Sequence, residues 1–225
     1  MLQLLERDLK DSGMETEPAK MMFSEIERIE RLLKQLLMHS HPMPIKSQSF
    51  NLHELLDTVL SFERSSHPGL RFTAYYDASL PDIEADRDKL HQVFLNLVRN
   101  ASEACPADGR VRVLTRHCAH WELAGTNLDP TRRYILVSIE DEGPGIPEEL
   151  RKNIFKPLFS TKKQGTGLGL SISFRLVESH GGQLRYQPSE RSGACFQVIL
   201  PESQSEPLEE NSPNFVYQDL RKEIS

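Results

Sequence analysis

Three short stretches of this chain combine residue types and spacings that suit phosphate and cation chemistry. In "QGTGLGLSIS", residues 164–173, three glycines fall within five positions, at Gly165, Gly167 and Gly169. Glycines that close together let the backbone approach a neighbour without side-chain obstruction. The apolar run after them reads as a helix, whose free N–H groups and dipole favour an anion such as phosphate. In "EDEGPGIP", residues 140–147, Asp141, Gly143 and Gly145 alternate at the end of an apolar strand. A carboxylate there can accept a hydrogen bond from a flat amine-bearing ring; adenine offers such an amine at N6 and guanine does not. In "HQVFLNLVRNASEA", residues 91–104, Asn96, Asn100 and Glu103 share one helix face, apart from the apolar stripe Leu90, Phe94, Leu97, Ala101 and Ala104. Asparagine is a poor helix former, so two of them one turn apart need a reason. A carboxamide oxygen as a Mg²⁺ ligand, with phosphates and waters completing the octahedron, supplies one. Each stretch alone also fits a plainer role: a tight turn, an acidic surface turn, a pair of solvent-facing amides.

The glycine loop matches none of three familiar phosphate-binding devices. A Walker A loop needs Gly-Lys before Ser or Thr, and Gly-Lys occurs nowhere here. A dinucleotide fingerprint needs G-x-G-x-x-G after a strand, whereas position 170 is Leu and a polar loop precedes the glycines. The eukaryotic-type kinase loop fails on the same spacing.

The elements that must position these residues follow from periodicity. Residues 1–40 read as two helices, the second with Met22, Ile26, Ile29, Leu33 and Leu36 in a heptad-like seam. Such a hairpin cannot bury its seam alone, which favours docking against a second copy. "HSHPMPIKSQS", 39–49, reads as a linker. Beyond it, helices are expected over Leu52–Phe62, Lys89–Ala104 and Leu168–His180, the last stopped by Gly181-Gly182. Strands are expected over Leu70–Tyr76, Val111–Arg116, Tyr134–Glu140, Gln183–Gln187 and Ala194–Leu200, with a long loop around Trp121. The fold class is α+β, a two-layer α/β sandwich with a mixed sheet covered by helices. Three domains are expected: a partial helical hairpin at 1–44, a catalytic domain at 45–201 and a polar, disordered tail at 202–225.

Composition sets the outer bounds. The 225 residues, 38% of them hydrophobic, suffice for one full core plus an appendage. A net charge of −6 opposes general nucleic-acid binding. No apolar run approaches the length of a membrane span, so no membrane contact is expected of this chain. Three cysteines, odd in number and far apart, suggest neither a disulfide framework nor a zinc site, which points to a reduced, cytoplasmic chain.

The ordered series Asn96…Asn100, Asp141-x-Gly143-x-Gly145, "IFKPLFSTK" (154–162) and Gly165-x-Gly167-x-Gly169 resembles the N, G1, F and G2 boxes of bacterial sensor histidine kinases. These belong to the superfamily shared with gyrase B, the Hsp90 chaperones and MutL. The resemblance covers roughly residues 50–201, and "LVRNASEA" and "FSTKKQGTGLGLSIS" look most like the nitrogen-regulation sensor kinases. It implies a lid over ATP, hinged at the glycine loop. It implies that Asn100 binds Mg²⁺ with Asn96 assisting, and that Asp141 contacts the adenine amine beside Gly143 and Gly145. Thr166, Gly167, Leu168 and Gly169 would offer backbone amides to the phosphates, and Lys162 or Lys163 would neutralise γ-phosphate charge. Hydrolysing members of the superfamily carry a glutamate where this chain has Asn96, a very poor base, which favours a kinase over an ATPase.

The same resemblance implies a homodimer through the hairpin and a response regulator as partner. It also implies a phospho-accepting histidine in a His-Glu-x-x-Asn-Pro pattern. None of the eight histidines sits in one; "HELLDT", 53–58, matches only the first two positions. The chain is therefore expected to bind ATP yet label itself poorly. Two alternatives stand beside this reading: a superfamily ATPase, and a dimerisation and partner-docking module ordered by nucleotide.

Overall fold

The computed structural model describes residues 45–162, 165–189 and 193–202. The expected hairpin at 1–44, Lys163 and all of the expected tail but Glu202 lie outside the described residues.

Strand β1 (Gln48–Phe50) pairs antiparallel with β3 (Ile83–Ala85), a small two-stranded sheet built partly from the segment that reads as a linker. Both strands have only three residues, too few for a visible alternation. Helix α1 (Leu52–Ser66) starts at Asn51, whose side chain accepts from the N–H groups of His53 and Glu54. Helix α2 (Arg87–Ala104) starts at Asp86, which accepts from the Lys89 N–H and, through its other oxygen, from the Lys46 N–H. Asp86 thus caps the helix and ties the segment just before β1 to it.

The main sheet has the order β2 (Arg71–Tyr75), β4 (Arg110–His117), β5 (Tyr134–Asp141), β7 (Ala194–Pro201), β6 (Gln183–Pro188). Only β2–β4 is parallel, joined by a crossover through β3 and α2; the other three pairings are antiparallel. The sheet is therefore mixed, as expected. A short α3 (Glu148–Arg151) precedes the glycine loop, and α4 (Gly169–Ser179) follows it. Helix α4 ends at His180, with the Gly181 and Gly182 N–H groups returning to the carbonyls of Glu178 and Val177.

Helix α2 lies between α1 and α4 and presses Leu90, Val93, Phe94, Leu97, Val98 and Ala101 into the core. Val93 and Val98 widen the stripe expected from sequence, and Ala104 stays half-buried. On the sheet, Val111, Val113, Ile135, Val137, Ile139, Phe196 and Val198 complete this core. The opposite face is partly roofed by the 118–133 loop, where Leu123 packs with Tyr134, Leu136 and Ile199. Glu122 clips that loop down: it accepts two bonds from Arg116, at 2.6 and 2.7 Å, and one from the Ala119 N–H. Trp121 beside it is 76% exposed.

Because Asp86 serves one helix terminus and one distant backbone N–H at once, Asp86→Ala is expected to destabilise the fold by about 2 kcal/mol, twice an ordinary cap. The urea unfolding midpoint measures this, and Asp86→Asn is expected to recover about half of the loss.

Candidate functional site

Strand β5 runs apolar on the core face until its last residue, Asp141, and delivers a carboxylate to the edge of the core. That side chain is 2% exposed. Its Oδ1 accepts from the Gly143 N–H at 2.8 Å and the Ala194 N–H at 3.1 Å. Among the described residues both bonds fall on Oδ1, which leaves Oδ2 for a further donor. Burial pushes the Asp141 carboxyl above the ordinary aspartate range, and the two backbone bonds hold that rise in check.

Two close backbone approaches fix this corner. Gly143 sits on the last turn of α2, where a Cβ would stand 2.7 Å from the Ala104 carbonyl oxygen. Gly193, at φ +89°, lies so near the Asp141 carbonyl that a Cβ would overlap it. Its own carbonyl oxygen stands 2.9 Å from the Cβ position of Gly145, at φ +73°. Gly193 escapes a reading of the sequence, where it looks like one more hairpin-turn glycine. Its proximity to β5 is set by the β5–β7 pairing.

The glycine loop comes back onto α2. At Gly169, the first residue of α4, a Cβ would overlap Asn96 Oδ1. The Asn96 amide donates to Ser173 Oγ on α4 at 3.0 Å, a partner with no separate signal in the sequence. Gly167 lies against the backbone of Leu158 and Phe159. Leu158 is exposed and left-handed, at φ +63°, an uncommon conformation for a non-glycine residue. The Leu168 side chain is buried in the core, and its N–H lies 3.4 Å from Thr166 Oγ1. Asn51 and Asp86 cap α1 and α2, whereas Leu168, at the N-cap position of α4, offers no side-chain hydrogen bond to the helix.

Asn100, one turn beyond Asn96, accepts from the Lys162 ammonium through Oδ1 at 3.1 Å, and the same ammonium pairs with Glu103. A cationic group already resting on that carboxamide oxygen fits the expected role of Asn100 as a cation ligand. Among the described residues no cluster of three or more His, Cys, Asp or Glu side chains could hold a metal. A magnesium ion would rest on carboxamide oxygen and phosphate, as suits a hard cation. Asn96, Asn100, Lys162 and Gly165–Gly169 thus gather along one side of α2, while Asp141, Gly143 and Gly145 gather at its C-terminal end.

His53, the nearest match to a phospho-acceptor, opens α1 far from this group in the fold. Its ring stacks on Tyr76 with centroids 4.5 Å apart, and Nε2 meets Thr115 Oγ1 at 2.9 Å. Burial holds its pKa below the ordinary histidine value against the pull of Asp57 and Asp77.

Residues 85–204 match the family model of the histidine kinase-, DNA gyrase B- and HSP90-like ATPases. The chain is 35% identical to the sensory histidine kinase/phosphatase NtrB of Azospirillum brasilense, covering 88% of this chain and 50% of that protein. It is 34% identical to sporulation kinase C of Bacillus subtilis, covering 80% of this chain and 40% of that protein. It spans about half or less of these relatives' length. Among solved structures, the catalytic domain of histidine kinase ThkA superposes with a TM-score of 0.60 at 32% identity, over 70% of this chain and 97% of that one. ThkA in complex with the response regulator protein TrrA superposes at 0.62 and 29% identity, over 90% of this chain and 57% of that one.

Two outcomes test the geometry of this corner. Gly193→Ala forces a Cβ into the Asp141 carbonyl and a strained φ, and is expected to cost more than about 2 kcal/mol in urea unfolding. Asp141 binds its proton more tightly folded than unfolded. The stability linked to that proton is therefore full below the ordinary aspartate pKa and is lost as pH rises through the raised folded value. In urea midpoints across acid pH, Asp141→Asn is expected to lack this slope.

Proposed function

Because this chain belongs to the histidine kinase-, DNA gyrase B- and HSP90-like ATPase family, we propose that it binds Mg²⁺-ATP and transfers the γ-phosphate to a histidine. The acceptor is none of its own eight, and the phosphate then passes to an aspartate of a response regulator. One observation carries the nucleotide reading. Asp141 is buried, both of its backbone bonds use Oδ1, and Oδ2 remains to accept from the N6 amine of adenine. Guanine presents a carbonyl at that place, which would set two acceptors against each other.

The phosphates would lie at the start of α4, where the amides of Thr166, Gly167, Leu168 and Gly169 would receive them. Asn100, assisted by Asn96, holds Mg²⁺, which when bound neutralises charge on the phosphate oxygens. Lys162 stands beside the site and adds positive charge at the γ-phosphate; Lys163, outside the described residues, is proposed for the same task. Phosphoryl transfer asks mainly for position and charge, so this set needs no nucleophile of its own. Asn96 favours transfer over hydrolysis: one of its two amide hydrogens goes to Ser173, and a carboxamide is too weak a base to take a proton from water.

The partners follow from the same reading. The solved complex of ThkA with a response regulator supports a response regulator here. The seam at residues 22–36 supports a homodimer through the helical hairpin. Among the described residues no helix is long and apolar enough to cross a membrane. A cytoplasmic location for the domain is part of the same proposal, since the proposed reaction draws on ATP and Mg²⁺.

The test is phosphotransfer in trans. The 225-residue chain is incubated with γ-labelled ATP and Mg²⁺, with and without a catalytically dead sensor kinase that carries an acceptor histidine. Label is expected on the added protein alone and to vanish with Asn100→Ala; label on this chain by itself overturns the acceptor reading. Asp141→Asn keeps an oxygen for Gly143 and Ala194 but turns the other position into a donor. It is expected to weaken ADP binding at least about tenfold, the loss of one charge-assisted hydrogen bond.

A further inference from the structure

Glu103 is the one member of the polar face of α2 that the proposed reaction leaves without a task. Its carboxylate pairs with the Lys162 ammonium, which at the same time donates to Asn100 Oδ1. Both partners of the pair are partly exposed, with 43% of the lysine and 41% of the glutamate side chain open to solvent. Lys162 precedes the glycine loop in sequence, and Glu103 and Asn100 lie on α2, so the contact joins two separate elements. The pair is also local to the oxygen that matters, because the ammonium rests on the same Asn100 Oδ1 that a metal would use, and two cations crowded on one oxygen repel.

We propose that Glu103 is a positioning residue that holds Lys162 in the place of the cation while the site lacks Mg²⁺-nucleotide. Resting on the nucleotide-site reading above, this makes the lysine a built-in competitor of the metal. Divalent cation entering with a nucleotide must first displace the ammonium from Asn100 Oδ1. The displaced lysine is then free to meet phosphate. The cost of displacement lowers the apparent affinity for Mg²⁺ by the fraction of molecules in which the lysine is already away. A carboxylate that only attracted metal would act in the opposite sense.

The experiment titrates Mg²⁺ into the 225-residue chain saturated with a fluorescent ADP derivative, which has no γ-phosphate for Lys162 to hold. The half-saturating Mg²⁺ concentration is read for the unsubstituted chain, Lys162→Gln, Glu103→Gln and the double variant. Both positions are surface-exposed and leave the core untouched. Lys162→Gln is expected to lower the half-saturating concentration about threefold, the size of an exposed pair. The effect of Glu103→Gln is expected to depend on Lys162: with the lysine replaced, it only removes negative charge and raises the concentration; with the lysine present, release of the competitor offsets that rise. An unchanged or raised concentration in Lys162→Gln, or additive effects of the two substitutions, overturns this proposal while ADP binding leaves the nucleotide site standing. Failure of the unsubstituted chain to bind ADP overturns the nucleotide site itself and this proposal with it.

Discussion

The site depends on the packing of one helix. Leu90, Val93, Phe94, Leu97, Val98 and Ala101 drive α2 into the core, and their burial fixes its rotation about its own axis. At about 25 cal/mol per Å² of apolar surface, such a stripe outweighs any single polar contact along the helix. Everything polar on α2 inherits its aim from that stripe. Asn96 reaches α4, Asn100 and Glu103 reach Lys162, and the Ala104 carbonyl supports the turn after Asp141. A rotation of one residue would scatter all four.

Against this fixed helix, Asp141 is the costly feature. A carboxylate nearly closed off from solvent loses hydration that two backbone N–H groups only partly replace, and its raised proton affinity expresses the shortfall. Neighbouring strand ends hold it in place: Gly143 folds back from β5, and Gly193 and Ala194 arrive on β7. The open second oxygen makes the arrangement useful, since a buried acceptor left for a ligand rewards the ligand that supplies a donor and penalises one that does not.

The glycine loop meets α2 and the Leu158–Phe159 backbone at close range. Leu158 adopts a left-handed conformation beside Gly167, and Gly169 meets Asn96 with no side chain between them. The loop is thus held by close approach at its far end and by an exposed ion pair, Lys162 with Glu103, at its near end. Exposed pairs are weak and exchange readily.

Much of this was legible in the residues themselves. The apolar periods located α1, α2, α4 and the five strands of the main sheet, because burial of one face imposes a repeat that survives in the sequence. The ordered boxes from Asn96 to Gly169 do come together on α2 and the end of β5, because close backbone approach tolerates few residue types. What tertiary structure decided was which groups meet. The strands β1 and β3 were too short to show a period, and the parallel β2–β4 pairing depends on a crossover that no local pattern records. Gly193 and Ser173 carry ordinary local signals and acquire their roles only when β7 is laid beside β5 and α4 beside α2. The pairing of Lys162 with Glu103, 59 residues apart, is likewise invisible along the chain, since side-chain contacts over that distance are set by packing and not by spacing.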